Sequence, residues 1–267
     1  MDLELRNKRA LVTGGSRGIG KAIARVLAQE GVDVALLARG EEALSSAASE
    51  LATETGRKVV SVRADTGNDE QVRRAVTEAA IKLGGTIDIL VNCAAEAAGF
   101  TEPPRLADIT GDFFHAEMDI KVMGYIRCAR EVIGGMRAQG WGRIVNISGL
   151  AARQTGNAVG SMRNIAVAAL TKNMADELGP DGINVTVIHP GLTRTERTAP
   201  LVAARAAAQG MSPESVEQKM AAGNSIRHLV DASEVAQVAA FLCSPKSRAI
   251  NGDAIAVGGG ASHSIHY

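Results

Sequence analysis

Apolar residues fall along this chain in two alternating rhythms. Short unbroken runs rich in Val, Ile and Leu occupy residues 10–13, 32–38, 59–62, 87–92, 144–147, 185–189 and 254–257. Runs of that length without polar alternation predict strands buried on both faces. Between them the spacing becomes helical. Residues 18–29 place Ile19, Ile23, Val26 and Leu27 on one stripe, and residues 68–83, 112–137, 161–178 and 233–243 behave similarly. Repeated strand–helix units with right-handed crossovers predict an α/β fold, a doubly wound parallel sheet flanked by helices. Nothing reads as a linker, so residues 1–267 are expected to form a single domain. Residues 193–231 break the rhythm. No strand is evident there, only Ala-rich helical sequence after a strand end, where open sheets place their ligands. A lid over a site and an ordinary surface helical pair are the two readings of that insertion.

Composition narrows the picture. Hydrophobic residues make up 46% of the chain and aromatics only 3%, so the core must be built from Ala, Val, Ile and Leu. Lys+Arg and Asp+Glu both number 29, which disfavours a nucleic-acid partner. Cys93, Cys128 and Cys243 lack metal spacing and read as small buried residues in a reducing compartment. The charged N-terminal residues 1–8 and the lack of a long apolar run argue against a signal segment or membrane span. A cytoplasmic protein is expected.

The sharpest motif is Thr13-Gly14-Gly15-Ser16-Arg17-Gly18-Ile19-Gly20, set between a strand and a helix. Gly14 permits the tight turn, Gly18 lets backbone approach a pyrophosphate, and Gly20 allows close helix–strand packing. The free N–H groups of the helix favour phosphate. With Asn92-Cys93-Ala94-Ala95, Asp65, and Pro190-Gly191 followed by Thr193 and Thr195, the chain resembles the short-chain dehydrogenase/reductase family over essentially its whole length. The resemblance implies a Rossmann-type sheet of about seven strands. It also implies a nucleotide site at Gly14, Ser16, Arg17, Gly18, Ile19, Gly20, Asp65, Thr66, Asn92, Ala94, Asn164, Pro190, Gly191, Thr193 and Thr195. Gly258 stands where the family commonly has an aspartate.

An acid ending the second strand would bind the ribose 2′-hydroxyl and repel a 2′-phosphate. Ala38 occupies that position, followed by Arg39, with Arg17 in the glycine loop. Two guanidinium groups there favour NADP(H), with NAD(H) the alternative.

The resemblance implies a tyrosine acid, a lysine that tunes it, a serine that polarises the carbonyl and an asparagine on an earlier helix. Alignment on Ala168-Ala169-Leu170-Thr171-Lys172 puts the tyrosine position on Gly160 and the lysine position on Asn164. The serine position falls on Gly149, beside Ser148, and the asparagine position on Asp119. Tyr125 and Tyr267, the chain's only tyrosines, are far from Gly160 in sequence. As replacements, Ser148 is adjacent to the serine position, and His115 and Asp119, one helical turn apart, suit a proton relay. Glu96, Arg153, Gln154, Arg163 and His189 also lie on segments expected near the cleft. Restoring the pair through Gly160→Tyr with Asn164→Lys should raise activity if the cleft has kept its shape.

Three functions fit. The first is an NADP(H)-dependent oxidoreductase acting on a small carbonyl or alcohol with a non-standard proton donor. The second is a lyase, isomerase or dehydratase on the same scaffold, and the third a nucleotide-binding protein without dehydrogenase chemistry. The long helices 112–137 and 161–178, apolar on more than one face, and the resemblance both imply a homodimer or homotetramer.

Overall fold

Each apolar run becomes a strand of one sheet, the five inner strands paired on both edges and the two outer ones on a single edge. The computed structural model describes residues 1–95 and 102–260. Along the chain lie β1 (Arg9–Thr13), α1 (Gly18–Gln29), β2 (Asp33–Ala38), α2 (Glu41–Thr55), β3 (Val59–Arg63), α3 (Asp69–Leu83) and β4 (Ile89–Asn92). After these come α4 (Gly111–Met118), a π-helical turn (Asp119–Met123), α5 (Gly124–Gln139), β5 (Gly142–Ile147), α6 (Ala158–Leu178), β6 (Ile183–Pro190) and β7 (Thr193–Arg194). The chain continues through α7 (Thr198–Gln209), α8 (Pro213–Ala221), β8 (Val230–Asp231), α9 (Ala232–Cys243) and β9 (Ala254–Val257).

The main sheet has seven strands in the order β3-β2-β1-β4-β5-β6-β9, every pair parallel. The chain winds outward from β1 to β3, then returns to the other side of β1 with β4. That reversal opens a crevice beyond the carboxyl ends of β1 and β4. Successive residues alternate between the two cores. β1 sends Ala10 and Val12 into the layer of Ile23, Leu27 and Val235, and Leu11 into the layer of Val72, Cys128 and Val185.

Three expectations need correction. The 193–231 segment contains two strands, since Thr193 pairs with Val230 and Arg194 with Asp231 in a separate parallel ribbon. Two-residue strands carry no periodicity, so the apolar pattern misses them. The pattern also names no helix for α2, whose buried stripe of Leu44, Ala47, Ala48 and Leu51 is mostly alanine. Finally, the single helix expected over 112–137 is two helices joined by the π-helical turn. One extra residue per turn rotates the later faces relative to the earlier ones.

Among the described residues, no helix is long and apolar enough to cross a membrane.

Candidate functional site

The β1–α1 turn is shaped by what it excludes. Gly14 has φ +66°, and a Cβ there would lie 3.0 Å from the Cys93 carbonyl oxygen. A Cβ on Gly20 would lie 2.4 Å from the Gly14 oxygen. The helix therefore starts directly against the turn, with its N–H groups facing the crevice. Thr13 Oγ1 accepts the N–H groups of Cys93 and Ala94 at 2.9 and 3.0 Å, tying the ends of β1 and β4 together. Asn92 donates its amide to Asn146 at 2.9 Å, and Asn146 donates in turn to Thr171 Oγ1. The buried Asn92 Oδ1 has no hydrogen-bond partner among the described residues.

A cleft of about 380 Å³ opens beside this turn, lined by Ser16, Arg17, Gly18, Lys21, Thr195 and Glu196, among others. Ile19 is partly buried, its side chain packed on the core. Gly18 (φ +56°) donates its N–H to both carboxylate oxygens of Glu196, at 3.0 and 3.2 Å. An anionic group thus already sits where a helix N-terminus binds phosphate. Arg17 and Arg39 are exposed at the rim. Asp65 accepts the Gly67 N–H at 2.9 Å, and the buried Thr66 accepts Arg127 through its carbonyl oxygen at 3.1 Å.

On the other side of the crevice, β6 ends in Pro190, and Gly191 donates its N–H to Val257 at 3.0 Å. A Cβ on Gly191 would lie 2.8 Å from Gly258 Cα, so both positions need to be small. Thr193 donates its hydroxyl to the Gly191 oxygen at 3.0 Å, and Thr195 donates its N–H to Thr198 Oγ1 at 2.9 Å.

The site between β5 and α6 differs from the sequence-based expectation. Ser148 is buried and donates its hydroxyl to the Asn164 carbonyl oxygen at 2.9 Å. Among the described residues, no hydrogen bond joins His115 to Asp119. Asp119 accepts Arg127 at 2.7 Å, while His115 is exposed and packs edge-on to Phe114. The residue that faces the site from this segment is Lys121, buried and two positions on, because the π-helical turn changes the face presented. Its Nζ donates to the Ser148 carbonyl oxygen at 2.9 Å and to Asn164 Oδ1 at 3.0 Å. Tyr125, also distant in sequence, is buried nearby and donates its hydroxyl to the Ile147 carbonyl oxygen at 2.7 Å. The signal for Lys121 was a lone lysine set between Ile120 and Val122 in an apolar stretch.

Arg163 is buried and pairs with Glu117. Arg153 donates to the Ala254 carbonyl oxygen, Gln154 accepts Ser161, and His189 is buried in β6. Glu96 and Tyr267 lie outside the described residues.

Burial pushes the Lys121 amine down to about 7, helped by Arg163 and opposed by Cys93 and Glu117. Burial raises the Cys93 thiol to about 11 and the Tyr125 hydroxyl well above its ordinary value. The Lys121 shift has a consequence for stability. Below about pH 7 the folded and unfolded chains both hold the proton, and the folded one carries the full burial cost. Between about 7 and 10.5 the unfolded chain binds more protons, so stability rises with pH. The slope is at most about 1.4 kcal/mol per pH unit. Relative to Lys121→Met, the unchanged protein is expected to gain stability in urea unfolding as pH rises from 7 toward 10. Parallel pH dependences of the two proteins would contradict this assignment.

The glycine turn and the crevice beside it suit a dinucleotide. The family described as enoyl-(acyl carrier protein) reductase matches residues 14–262. The short-chain reductase protein NovJ of Streptomyces niveus is 34% identical over 255 residues, covering 94% of this chain and 92% of its own. Human dehydrogenase/reductase SDR family member 4 is 34% identical over 258 residues, covering 96% of this chain and 88% of its own. The L-sorbose reductase of Gluconobacter frateurii, solved in complex with NADPH and L-sorbose, superposes with a TM-score of 0.92 at 29% identity, covering 99% of this chain and 100% of its own. A matching family model over nearly the whole length and relatives of this identity place the chain in the short-chain dehydrogenase/reductase family of oxidoreductases.

Proposed function

We propose that the protein is an NADP(H)-dependent oxidoreductase that interconverts a small carbonyl compound and its alcohol. The observation that carries the cofactor choice is the rim of the crevice, where Arg17 and Arg39 stand and β2 ends in Ala38 rather than an acid. The NADPH bound by the L-sorbose reductase structure supports the same choice. The residues fit such a group: the glycines leave room for a pyrophosphate, and Asn92 carries an unpartnered buried oxygen. Gly14, Ser16, Gly18 and Ile19 would hold the phosphates, Asp65 and Thr66 the adenine side, and Asn92, Ala94, Pro190, Gly191, Thr193 and Thr195 the nicotinamide side. When bound, the cofactor supplies or accepts the hydride.

Calorimetric titration is expected to show tighter binding of NADPH than of NADH. One arginine–phosphate contact contributes about 1.5–3 kcal/mol, roughly 10- to 150-fold in affinity. Arg39→Asp should remove most of that difference. Equal affinities in the unchanged protein would count against the choice of NADP(H).

In this reading Gly160 and Asn164 occupy the family's tyrosine and lysine positions, so the reaction side is non-standard. Residues 193–231, with α7 and α8 packed through Val202, Ala206 and Val216, would act as the lid. Phe113, Met123, Met162 and Ile165 are exposed apolar residues on α4, the π-helical turn and α6, and they favour a homodimer or homotetramer. Light scattering at micromolar concentration is expected to show one of these, and a monomer would refute the assembly.

A further inference from the structure

The structure points to an exchange of two functional groups between helices. Taking the proposed oxidoreductase reading as given, we propose that Lys121 is the catalytic acid–base group of this enzyme, donating a proton to the substrate carbonyl oxygen in reduction.

The position is the first argument. Lys121 approaches from the π-helical turn, and its amine lies between the carbonyl of Ser148, just past the end of β5, and the amide of Asn164 on α6. Asn164 stands at the position resembling the family's lysine. The earlier segment, where the family places an asparagine, contributes the lysine instead. The amine and the amide are both present at the site, carried by the opposite helices.

The second argument is hydrogen-bond capacity. An ammonium has three N–H groups. Two go to Ser148 and Asn164, which aim the nitrogen and leave one N–H to give away. The competing groups are committed elsewhere. Tyr125 is fixed on the Ile147 carbonyl oxygen, Asp119 on Arg127, and Ser148 donates to the Asn164 carbonyl oxygen. Gly149 and Gly160 bring no side chain.

The third argument is the charge environment. The titratable groups facing the amine are Cys93 at the end of β4, Glu117 on α4 and Arg163 on α6. Burial and Arg163 disfavour the ammonium, so Lys121 holds its proton weakly enough to transfer it near neutral pH. Buried lysines tuned this way serve as acid–base groups because their amine sheds its proton readily.

The step balances with a reduced nicotinamide nucleotide as the two-electron donor. The carbonyl carbon gains the hydride, its oxygen gains the proton, one Lys121 N–H bond breaks and one O–H bond forms. The neutral amine that remains regains a proton from the buffered solvent, which supplies the one H⁺ that the net reduction consumes.

The test uses the full chain, NADPH, and ethyl acetoacetate and L-sorbose as carbonyl probes. Nitrogen NMR of lysine-labelled protein needs no catalysis and is read first. One side-chain amine is expected to titrate near neutral pH and to vanish from the spectrum of Lys121→Met. In the unchanged protein, kcat/KM for reduction should fall through that same midpoint as pH rises. Lys121→Met should lower kcat by about 10²- to 10⁴-fold while NADPH affinity, read by fluorescence, changes only a few-fold. Lys121→Arg separates acid from scaffold: it keeps the charge and donors but cannot release a proton, so it should be as inactive as Lys121→Met. A lysine spectrum with no amine titrating below about pH 9 overturns the proposal. So does turnover in either folded variant within a few-fold of the unchanged protein. If the amine titrates near neutrality but neither probe is reduced by the unchanged protein, the oxidoreductase reading fails instead.

Discussion

Gly20→Ala is expected to abolish measurable NADPH binding and to destabilise the fold by on the order of 3 kcal/mol. The added methyl would lie 2.4 Å from the Gly14 carbonyl oxygen and 2.9 Å from its carbon. Both are backbone atoms of the turn, so no rotamer change relieves the clash, and α1 must move away from β1. The helix cannot move alone, because its buried face, Ile23, Ala24, Leu27 and Ala28, is part of the core layer shared with α9. Displacement would also carry the helix N-terminus away from the proposed phosphate site. Urea unfolding and NADPH fluorescence titration report the two losses, and a variant with unchanged midpoint and affinity would refute the packing argument.

The second large effect reverses an expectation drawn from sequence. Installing the family's pair as Gly160→Tyr with Asn164→Lys is expected to lose stability and gain no activity. A lysine at position 164 would bring a second ammonium to the place where Asn164 now accepts Lys121 at 3.0 Å, with both residues buried. Below about pH 7, where Lys121 keeps its proton, two like charges about 4 Å apart repel by roughly 4 kcal/mol at an effective dielectric constant near 20. The tyrosine adds its own cost. A Cβ at Gly160 would lie 2.7 Å from Asn157 Cγ, and Asn157 caps α6 by accepting the Gly160 N–H at 2.8 Å. Losing that cap costs about 1 kcal/mol. The exchange Lys121→Asn with Asn164→Lys, which keeps one amine and one amide, is expected to recover most of the stability lost in Asn164→Lys alone. A double-mutant cycle measures the coupling, and strictly additive effects would show that the two side chains do not share a site.

That reversal shows where the sequence was readable. The five inner strands of the main sheet were legible because a strand buried on both faces needs an uninterrupted apolar run, and the outer β3 and β9, only partly buried, still carry a short apolar run. The glycine turn was legible for a partly local reason: Gly14 and Gly18 adopt positive φ, and a Cβ on Gly20 would strike the Gly14 oxygen. The reaction side was not legible, because its geometry is made by contacts between distant segments. Tyr125 was set aside for its separation from Gly160, yet β5 brings the Ile147 carbonyl oxygen to its hydroxyl. Asp119 was assigned the asparagine position and paired with His115 by a reading that treated residues 112–137 as one regular helix. The π-helical turn breaks that phase, giving Asp119 to Arg127 and turning Lys121 inward. Such a turn has no apolar signature of its own. Glu196 escaped notice for the same reason, since its partner Gly18 is 178 positions away.

With the phosphates placed at Gly18 as proposed, the Glu196 contact makes nucleotide capture a trade rather than a filling. The carboxylate that accepts the Gly18 N–H must leave before a pyrophosphate can take its place, and it belongs to the segment that leads into α7. Release of the nucleotide can run the same exchange backwards, the carboxylate reclaiming the helix end as the phosphates depart. At high nucleotide concentration the observed capture rate should therefore level off at the rate at which Glu196 swings away, and stopped-flow fluorescence would show that plateau. Turnover would then be timed by the protein's own anion as much as by the chemistry at Lys121.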